Sequence, residues 1–260
     1  GYPPVISGVT IVVQKLARAM VRKGHQVTVV TASETRDPYR DTDEGVDLVR
    51  VHAMPHPFWN RAPVPYLSRH ELGELMHEYR PDVLHSHDAG PLGIQLARFA
   101  RDTELPVMAS CHYVPHFVSR YLAGEGALGD PLETLVWSYS IWLYNHYDHV
   151  VFATESHRRL YVQEGLDVPT TLISNGIDMS RYVPGEPDLA LATRYALPDG
   201  MRILFVGRLM LDKEIDVLIR ALQMIRREVD AHLLVVGRGD AQTSLEELTS
   251  DLGLTDAVHF

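Results

Sequence analysis

The sequence is poor in cysteine and in long apolar segments. Its 260 residues include a single cysteine, Cys111, so no disulfide can form within the chain. The lack of disulfides is typical of proteins from a reducing compartment, and we therefore predict a cytoplasmic location. No apolar run approaches the roughly 20 residues of a membrane-spanning helix, and no secretory signal pattern is visible.

Positive charge is also scarce. The formal net charge is -10, which argues against a nucleic-acid-binding protein that works through the phosphate backbone. The same balance gives no support to binding of an anionic membrane through general basicity. Hydrophobic residues make up 45% and charged residues 22% of the chain, so it can bury a core. At 260 residues it has room for one large or two smaller α/β domains.

The motifs of a dinucleotide-dependent oxidoreductase and of a metal-dependent enzyme are missing or incomplete. Gly237 and Gly239 are too short a match to Gly-x-Gly-x-x-Gly, and no acidic ribose partner follows, which weakens the case for a dinucleotide-dependent oxidoreductase. His85 and His87 alternate faces on a predicted strand, so both can face one metal ion only if the strand has ended. Residues 41–43 (Asp-Thr-Asp) resemble an acidic metal-binding triplet. They lie among other carboxylates, so we interpret them as a solvated turn and expect no metal.

What the sequence does contain is a regular alternation of predicted strands and helices. The predicted helices cover residues 9–23, 68–79, 91–101, 131–147, 155–164, 216–227 and 242–252. The predicted strands cover residues 26–31, 47–51, 82–86, 106–110, 149–153, 170–174, 202–206, 232–236 and 258–260. Such alternation implies parallel sheets with crossover helices, which bind ligands at the carboxyl ends of their strands.

Turn-forming residues crowd residues 181–187, and we predict a domain boundary near residues 176–200. The predicted domains are 1–183 and 184–260. The first would lack its initial strand and the second would be incomplete, so we expect the chain to be part of a longer protein.

Two predicted loops are candidate phosphate sites. Gly8 precedes a helix, whose free N–H groups and partial positive charge suit phosphate, although an ordinary turn is the simpler alternative. Arg208 and Lys213 follow the strand at 202–206 and precede a helix. Two cations there can grip a diphosphate and neutralise a leaving group. The alternative is a solvated charged loop.

Histidines follow two neighbouring predicted strands. His85 and His87 stand at the end of one strand and His112 at the end of another. Histidine can move protons or orient a hydroxyl near neutral pH, although a single histidine is more often structural. Because parallel strands end at the same edge, we predict that these side chains meet there.

The predicted helix at 131–147 is rich in aromatic residues. It carries Trp137, Tyr139, Trp142, Tyr144 and Tyr147. Core packing is our favoured interpretation; an acceptor groove or a membrane interface are the alternatives.

Several short segments carry a family resemblance by their order and spacing. They are residues 2–9, 22–31, 81–85, 175–178, 206–209 with Lys213, and 233–239. Together they resemble glycosyltransferase family 4, and the resemblance covers essentially the whole chain. It implies the α/β fold called GT-B, in which two Rossmann-like domains face each other across a cleft. Residues 1–183 would form the acceptor-binding domain and residues 184–260 part of the nucleotide-sugar-binding domain.

The resemblance also implies an activity, that of a retaining, metal-independent hexosyltransferase without a cofactor that uses a UDP- or GDP-sugar as donor. His112 would lie near the transferred sugar and the acceptor hydroxyl. Arg208 and Lys213 would bind the diphosphate and stabilise the departing nucleotide. The remaining implied contacts are Gly8 with a phosphate group, Gly237 and Gly239 with the nucleotide, and Ser7, His87 and Tyr113 with the acceptor.

Residues 7–10, residues 90–93 and the set His112, Phe117 and Tyr121 are similar to enzymes that glycosylate diacylglycerol or related membrane lipids. They imply a lipid acceptor and peripheral association with the inner face of a membrane. The charge of residues 1–183, where Asp and Glu outnumber Lys and Arg, does not favour this.

The chain departs from the family pattern at two positions. Ser7 and Glu214 stand where many relatives have glycine, and Glu214 adds a negative charge beside Lys213. The glutamates that hold the donor in the family are expected beyond residue 260. Three alternatives therefore stay open, namely a GT-B nucleotide-sugar epimerase, a non-catalytic sugar- or nucleotide-binding module, and a dinucleotide-dependent oxidoreductase.

Overall fold

A computed structural model divides the chain into two compact units, Gly1–Met179 and Ser180–Phe260. The residues it describes are 1–5, 7–55, 63–123, 129–186 and 189–260. Residues 187–188, within the predicted domain boundary, and the side chain of Tyr121 lie outside this description. Each unit has a hydrophobic core of its own.

The first unit begins with a helix and a three-stranded sheet. Helix α1 (Gly8–Arg22) is followed by β1 (Thr28–Ala32), β2 (Tyr39–Asp43) and β3 (Val46–Val51), in the order β1-β3-β2. Strands β1 and β3 are parallel, while β2 runs antiparallel to β3. The predicted α1, β1 and β3 are confirmed. Helix α1 ends at Arg22, and Gly24 follows the capping residue Lys23 with φ of 92°, which suits a residue without a β-carbon.

The hairpin of β2 and β3 corrects the interpretation of residues 41–43 as a solvated turn. The turn lies instead at Glu44 and Gly45, both with positive φ. Asp41 lies in β2 and is exposed, whereas Asp43 is half-buried and bonded to side chains of the same unit. The strand was missed because its outward side chains are polar and charged, so apolar alternation does not mark it.

A short antiparallel pair and a helix follow. The pair is β4 (Ala53–Met54) with β5 (Val64–Pro65), and the helix is α2 (Arg69–Tyr79). Ser68 and Glu71 form a reciprocal capping box at the start of α2, which satisfies two otherwise unpaired backbone N–H groups.

The described residues of the first unit also form a sheet of four parallel strands. The strands are β6 (Leu84–Ser86), β7 (Val107–Cys111), β8 (His149–Phe152) and β9 (Thr170–Leu172), in that order across the sheet. The connecting helices are α3 (Pro91–Thr103), α4 (Pro115–Ala123), α5 (Gly129–Tyr144) and α6 (Glu155–Gln163). Because all four strands are parallel, the loops after β6 and β7 leave the same edge.

Helix α5 packs its aromatic residues into the core beneath this sheet. Tyr144 and nearby Tyr147 are buried, and the Trp137 ring meets the Tyr161 ring edge-on with centroids 5.0 Å apart. The core interpretation of the aromatic segment is thus confirmed for these residues. Trp142 differs, since 42% of it is exposed.

The second unit contains three parallel strands in the described residues. They are β10 (Met201–Val206), β11 (Ala231–Val236) and β12 (Val258–His259). The helices are α7 (Leu189–Arg194), α8 (Ile215–Ile225) and α9 (Gln242–Asp251), and a 3-10 turn (Leu211–Lys213) precedes α8. Ile219, Leu222 and Leu233 are fully buried at the centre of this unit. No helix in the described ranges of either unit is long and apolar enough to span a bilayer.

Candidate functional site

Three histidines meet at the carboxyl edge of β6 and β7, as predicted. Nδ1 of His87 lies 2.9 Å from Nε2 of His112. Nε2 of His85 lies 2.9 Å from Oγ of Ser110. The rings of His85 and His87 are also adjacent, with centroids 4.1 Å apart. This is possible because β6 ends at Ser86, so His87 no longer follows the alternation of a strand. We call His85, His87 and His112 the histidine cluster.

Burial keeps the histidine cluster uncharged near neutral pH. It lowers the pKa of His85 to about 4. Burial, reinforced by the neighbouring His85, holds the pKa of His87 far below its usual range. Burial also lowers the pKa of His112. In the neutral state each ring has one protonated and one unprotonated nitrogen, so each can donate one hydrogen bond and accept another.

The segment after His112 is fixed by helix α6. The carbonyl oxygen of Tyr113 accepts hydrogen bonds from Nε2 of His157 at 2.9 Å and from the Tyr161 hydroxyl at 3.0 Å. The Tyr113 hydroxyl lies 2.9 Å from Oγ of Ser140, which is fully buried. The predicted acceptor contact of Tyr113 stays a prediction. His157 was missed, because a single histidine within a helix carries no pattern of its own.

The loop between β6 and α3 is held by several contacts. Oδ1 of Asp88 accepts a hydrogen bond from the Gly90 N–H at 3.0 Å, and the Tyr147 hydroxyl donates to the Gly93 carbonyl at 2.9 Å. A β-carbon at Gly93 would lie 2.0 Å from the carbonyl oxygen of Asp88. Asp88 therefore serves to shape the loop that carries His87.

The segment before α1 is anchored by the half-buried carboxylate of Asp43. The Tyr2 hydroxyl donates to Oδ2 of Asp43 at 2.6 Å, and Gln14 and Arg18 donate to the same carboxylate. The Arg18 hydrogen bonds lower the pKa of Asp43 to about 2. In addition, the buried guanidinium of Arg50 donates to the Pro3 carbonyl. These contacts position the start of α1.

Ser7 and Gly8 stand at that start. Oγ of Ser7 accepts a hydrogen bond from the Thr10 N–H at 3.1 Å, so this hydroxyl caps the helix. A β-carbon at Gly8 would meet no described atom within 4 Å. Packing among the described residues therefore does not require glycine here. The phosphate contact of Gly8 and the acceptor contact of Ser7 stay predictions.

In the second unit, glycines let two loops touch. The Leu209 N–H donates to the Arg238 carbonyl at 3.0 Å. A β-carbon at Gly237 would lie 1.8 Å from the Gly207 carbonyl oxygen, and one at Gly239 would lie 2.1 Å from that of Leu209. Gly237 and Gly239 are thus needed for the close approach of the loops after β10 and β11. Their predicted place beside a nucleotide stays a prediction.

Two cations stand on the first of these loops. Arg208 and Lys213 are exposed, and Nζ of Lys213 lies 3.1 Å from Oδ2 of Asp212. Glu214 follows in the left-handed region, with φ of 47°, and begins α8 without a side-chain capping bond. Glycine would adopt this conformation without strain. We call residues 207–214 the cation loop.

The histidine cluster belongs to the first unit and the cation loop to the second. Within the ranges that the structure describes, no three His, Cys, Asp or Glu side chains gather in a way that could hold a metal ion. The chemistry that the two sites offer is hydrogen bonding by neutral imidazoles in one and binding of anions in the other.

Comparison with protein families gives two matches that together span most of the chain. Residues 6–181 match the model of Glycosyltransferase Family 4, and residues 196–260 match that of Glycosyl transferases group 1.

Two curated relatives align over the whole chain. One is an uncharacterized glycosyltransferase of Methanocaldococcus jannaschii, 28% identical over 100% of this chain and 66% of its own. The other is the alpha-monoglucosyldiacylglycerol synthase of Streptococcus pneumoniae, 24% identical over 100% of this chain and 59% of its own. The chain therefore spans about three fifths to two thirds of these relatives.

A solved structure supports the fold. Sucrose-phosphate synthase from Thermosynechococcus elongatus superposes with a TM-score of 0.74 and 20% identity, over 98% of this chain and 64% of its own. Such neighbours share the α/β architecture of parallel sheets described above.

Proposed function

Because the chain belongs to Glycosyltransferase Family 4 and has the GT-B fold, we propose that the protein transfers a hexose from a nucleoside-diphosphate sugar to a hydroxyl acceptor. The transfer would retain the anomeric configuration and require no metal ion. The observation that carries the proposal is the cation loop, which places Arg208 and Lys213 between the carboxyl end of β10 and the start of α8.

That placement suits a departing diphosphate. In the reaction the bond between the sugar C1 and the diphosphate oxygen breaks, and the diphosphate gains negative charge. The acceptor oxygen bonds to C1 and its proton ends on the released diphosphate. Arg208 and Lys213 would stabilise the charge as it develops, aided by the N-terminal amides of α8.

The histidine cluster would serve the sugar and the acceptor. His112 would hydrogen-bond a hydroxyl of the transferred sugar or of the acceptor. Since burial keeps its ring neutral near pH 7, it can do so without adding a positive charge beside the sugar carbon, which becomes electron-deficient as its bond to the diphosphate breaks.

For the acceptor, we propose a membrane lipid. Helices α4 and α5 expose Phe117, Leu135 and Trp142 at 55%, 65% and 42%. Aromatic and aliphatic side chains of this kind settle at a membrane interface, and the pneumococcal relative is named for a glucosyldiacylglycerol product. Incubation of the full-length protein with donor and either lipid vesicles or a soluble sugar acceptor tests this. Transfer to the soluble acceptor alone would exclude a lipid.

The donor class is tested by calorimetric titration of the full-length protein with UDP, GDP, ADP and NAD. We expect one nucleoside diphosphate to bind and Lys213→Ala to weaken its binding by about 10- to 100-fold, the loss of one charge-assisted hydrogen bond. Turnover should fall by orders of magnitude while the protein stays folded.

Arg227→Ala is the matched control. It removes one exposed cation just past the other end of α8, a helix about 16 Å long at the usual rise, and should leave binding unchanged. Binding of NAD alone would contradict the proposal and favour an oxidoreductase. A folded Lys213→Ala variant with normal turnover would remove the role of Lys213.

A further inference from the structure

The histidine cluster contains a repeated diagonal contact across β6 and β7. His85 is the backbone partner of Met108, yet its side chain bonds Ser110, two residues further along β7. His87 repeats the offset and bonds His112. The His87 and His112 rings are nearly parallel, with an interplanar angle of 17° and centroids 5.2 Å apart. The pairing of His87 with His112, which follow β6 and β7 directly, thus continues the offset that His85 and Ser110 have within the strands.

His112 is held from two sides. Its backbone neighbour Tyr113 is bonded to α6 through His157 and Tyr161. Its ring is bonded through Nε2 to His87. Rotation of the ring would break the bond to His87, so the ring has one orientation in which Nδ1 is the nitrogen outside the pair.

The pair also couples the two tautomers, because one proton lies between the facing nitrogens. If Nδ1 of His87 carries it, Nε2 of His112 accepts and Nδ1 of His112 is protonated. If Nε2 of His112 carries it, Nδ1 of His112 is left with a lone pair. Whichever arrangement is stable, His87 determines whether the outer nitrogen of His112 donates or accepts.

We propose that His87 is a positioning residue, whose Nδ1–Nε2 hydrogen bond fixes the ring orientation and tautomer of His112 so that Nδ1 of His112 faces the sugar or acceptor hydroxyl. The inference rests on the proposed function for the identity of that hydroxyl. The pairing itself does not depend on it. His87 then acts through His112 rather than by binding the acceptor.

The first test is nuclear magnetic resonance of the full-length protein labelled with 15N in its histidines. We expect a scalar coupling across the hydrogen bond between His87 Nδ1 and His112 Nε2, and one protonated and one unprotonated nitrogen in His112. This measurement needs no substrate, so it stands apart from failure of the proposed function. Fast averaging of the two His112 nitrogens, with no coupling, would overturn the inference.

The second test compares His87→Phe with His87→Asn. Phenylalanine keeps the ring without a hydrogen bond, whereas the asparagine amide places a polar atom near the position of Nδ1. We expect His87→Phe to average the His112 nitrogen shifts and to lower kcat by on the order of 100-fold, with little change in the KM for the acceptor. His87→Asn should restore most of kcat and most of the difference between the two His112 nitrogen shifts.

Direct acceptor binding by His87 gives the opposite pattern. The KM for the acceptor would rise while kcat and the His112 shifts stayed as in the parent protein. If His87→Phe does not fold, the coupling in the parent protein and the His87→Asn variant still decide between the two roles.

Discussion

The histidine cluster and the cation loop solve the problem of positioning functional groups in different ways. In the cluster the side chains themselves are half-buried and hydrogen-bonded, and His87 and His112 have their rings fixed against each other. In the cation loop the backbone is fixed by its contacts with residues 237–241, while the side chains of Arg208 and Lys213 are exposed. One region orders its functional side chains, and the other orders the backbone that carries exposed ones.

The difference shows which physical change each region is sensitive to. Burial sets the protonation state of the cluster, because it disfavours the charged imidazole. The exposed cations cost little desolvation in the folded chain, but ordering them against a bound anion costs side-chain entropy. Substitutions that act on packing should therefore damage the cation loop, whereas a change of pH should act on the cluster.

The largest effect is expected from Gly237→Ala. The added β-carbon would lie 1.8 Å from the Gly207 carbonyl oxygen, so the two loops must separate. We expect a loss of about 3 kcal/mol in the stability of the second unit and loss of nucleotide binding. Hydrogen exchange of β10 and β11 peptides, followed by mass spectrometry, measures it.

Gly185→Ala is the control for Gly237→Ala, because a β-carbon at Gly185 meets no described atom within 4 Å. It should leave exchange in β10 and β11 as in the parent protein. Unchanged exchange in Gly237→Ala would show that the loops do not need this close approach.

The second-largest effect is expected from a change of pH, which acts on the stability contributed by the histidine cluster. The pKa of His85 is about 4 in the folded chain, below the usual value of about 6.5. The unfolded chain therefore binds more protons between these two values. Stability is fully present above pH 6.5 and falls as the pH drops towards 4, by about 1.4 kcal/mol per pH unit for such a histidine. His87 and His112 add to the same trend.

His85→Gln isolates the contribution of His85 to this dependence of stability on pH. Its side-chain amide can still bond Ser110 but cannot titrate. Urea unfolding at pH 7.5, 6.5 and 5.5, followed by tryptophan fluorescence, should show a shallower loss of stability in the variant. Equal slopes would mean that burial does not lower the pKa of His85 in the folded state.

The smallest effect is expected from Glu214→Gly. Glu214 has φ of 47°, a conformation that costs a residue with a β-carbon about 1 kcal/mol or more. Glycine removes that cost and the negative charge beside Lys213, so stability should rise by about 0.5–1 kcal/mol and diphosphate should bind a few-fold more tightly.

Glu214→Gln separates the two contributions, because it removes the charge and keeps the β-carbon. It should improve diphosphate binding without raising the melting temperature. A Glu214→Gly variant no more stable than Glu214→Gln would show that the left-handed backbone carries no cost here.

Much of the fold followed from local patterns in the sequence. Helix α3 begins at Pro91, where the missing N–H costs nothing. The β-branched run at residues 28–31 forms a parallel strand. Strand β2 and the short helix α4 were not predicted. The strand lacks apolar alternation, and α4 lies in a segment that carries a family resemblance but no clear helical pattern.

The sequence predicted that the three histidines lie at one edge of the sheet, but not which of them form hydrogen bonds. The positions of His87 and His112 after two parallel strands were enough to bring them to one edge. Their direct hydrogen bond depends on a two-residue diagonal across the strands, which the sequence does not specify. The part played by His157 depends on how α6 packs.

The sequence by itself determined the alternation of strands and helices, the family, and the positions of Arg208, Lys213, His87 and His112 at strand ends, because these depend on local propensity and on short motifs. Only the tertiary structure decided that Gly237 and Gly239 are required by backbone contact, that Asp43 anchors Tyr2, and that His87 pairs with His112. Each of these depends on atoms from distant segments coming within about 3 Å of each other, the range of hydrogen bonds and close contacts, and no local pattern encodes such an approach.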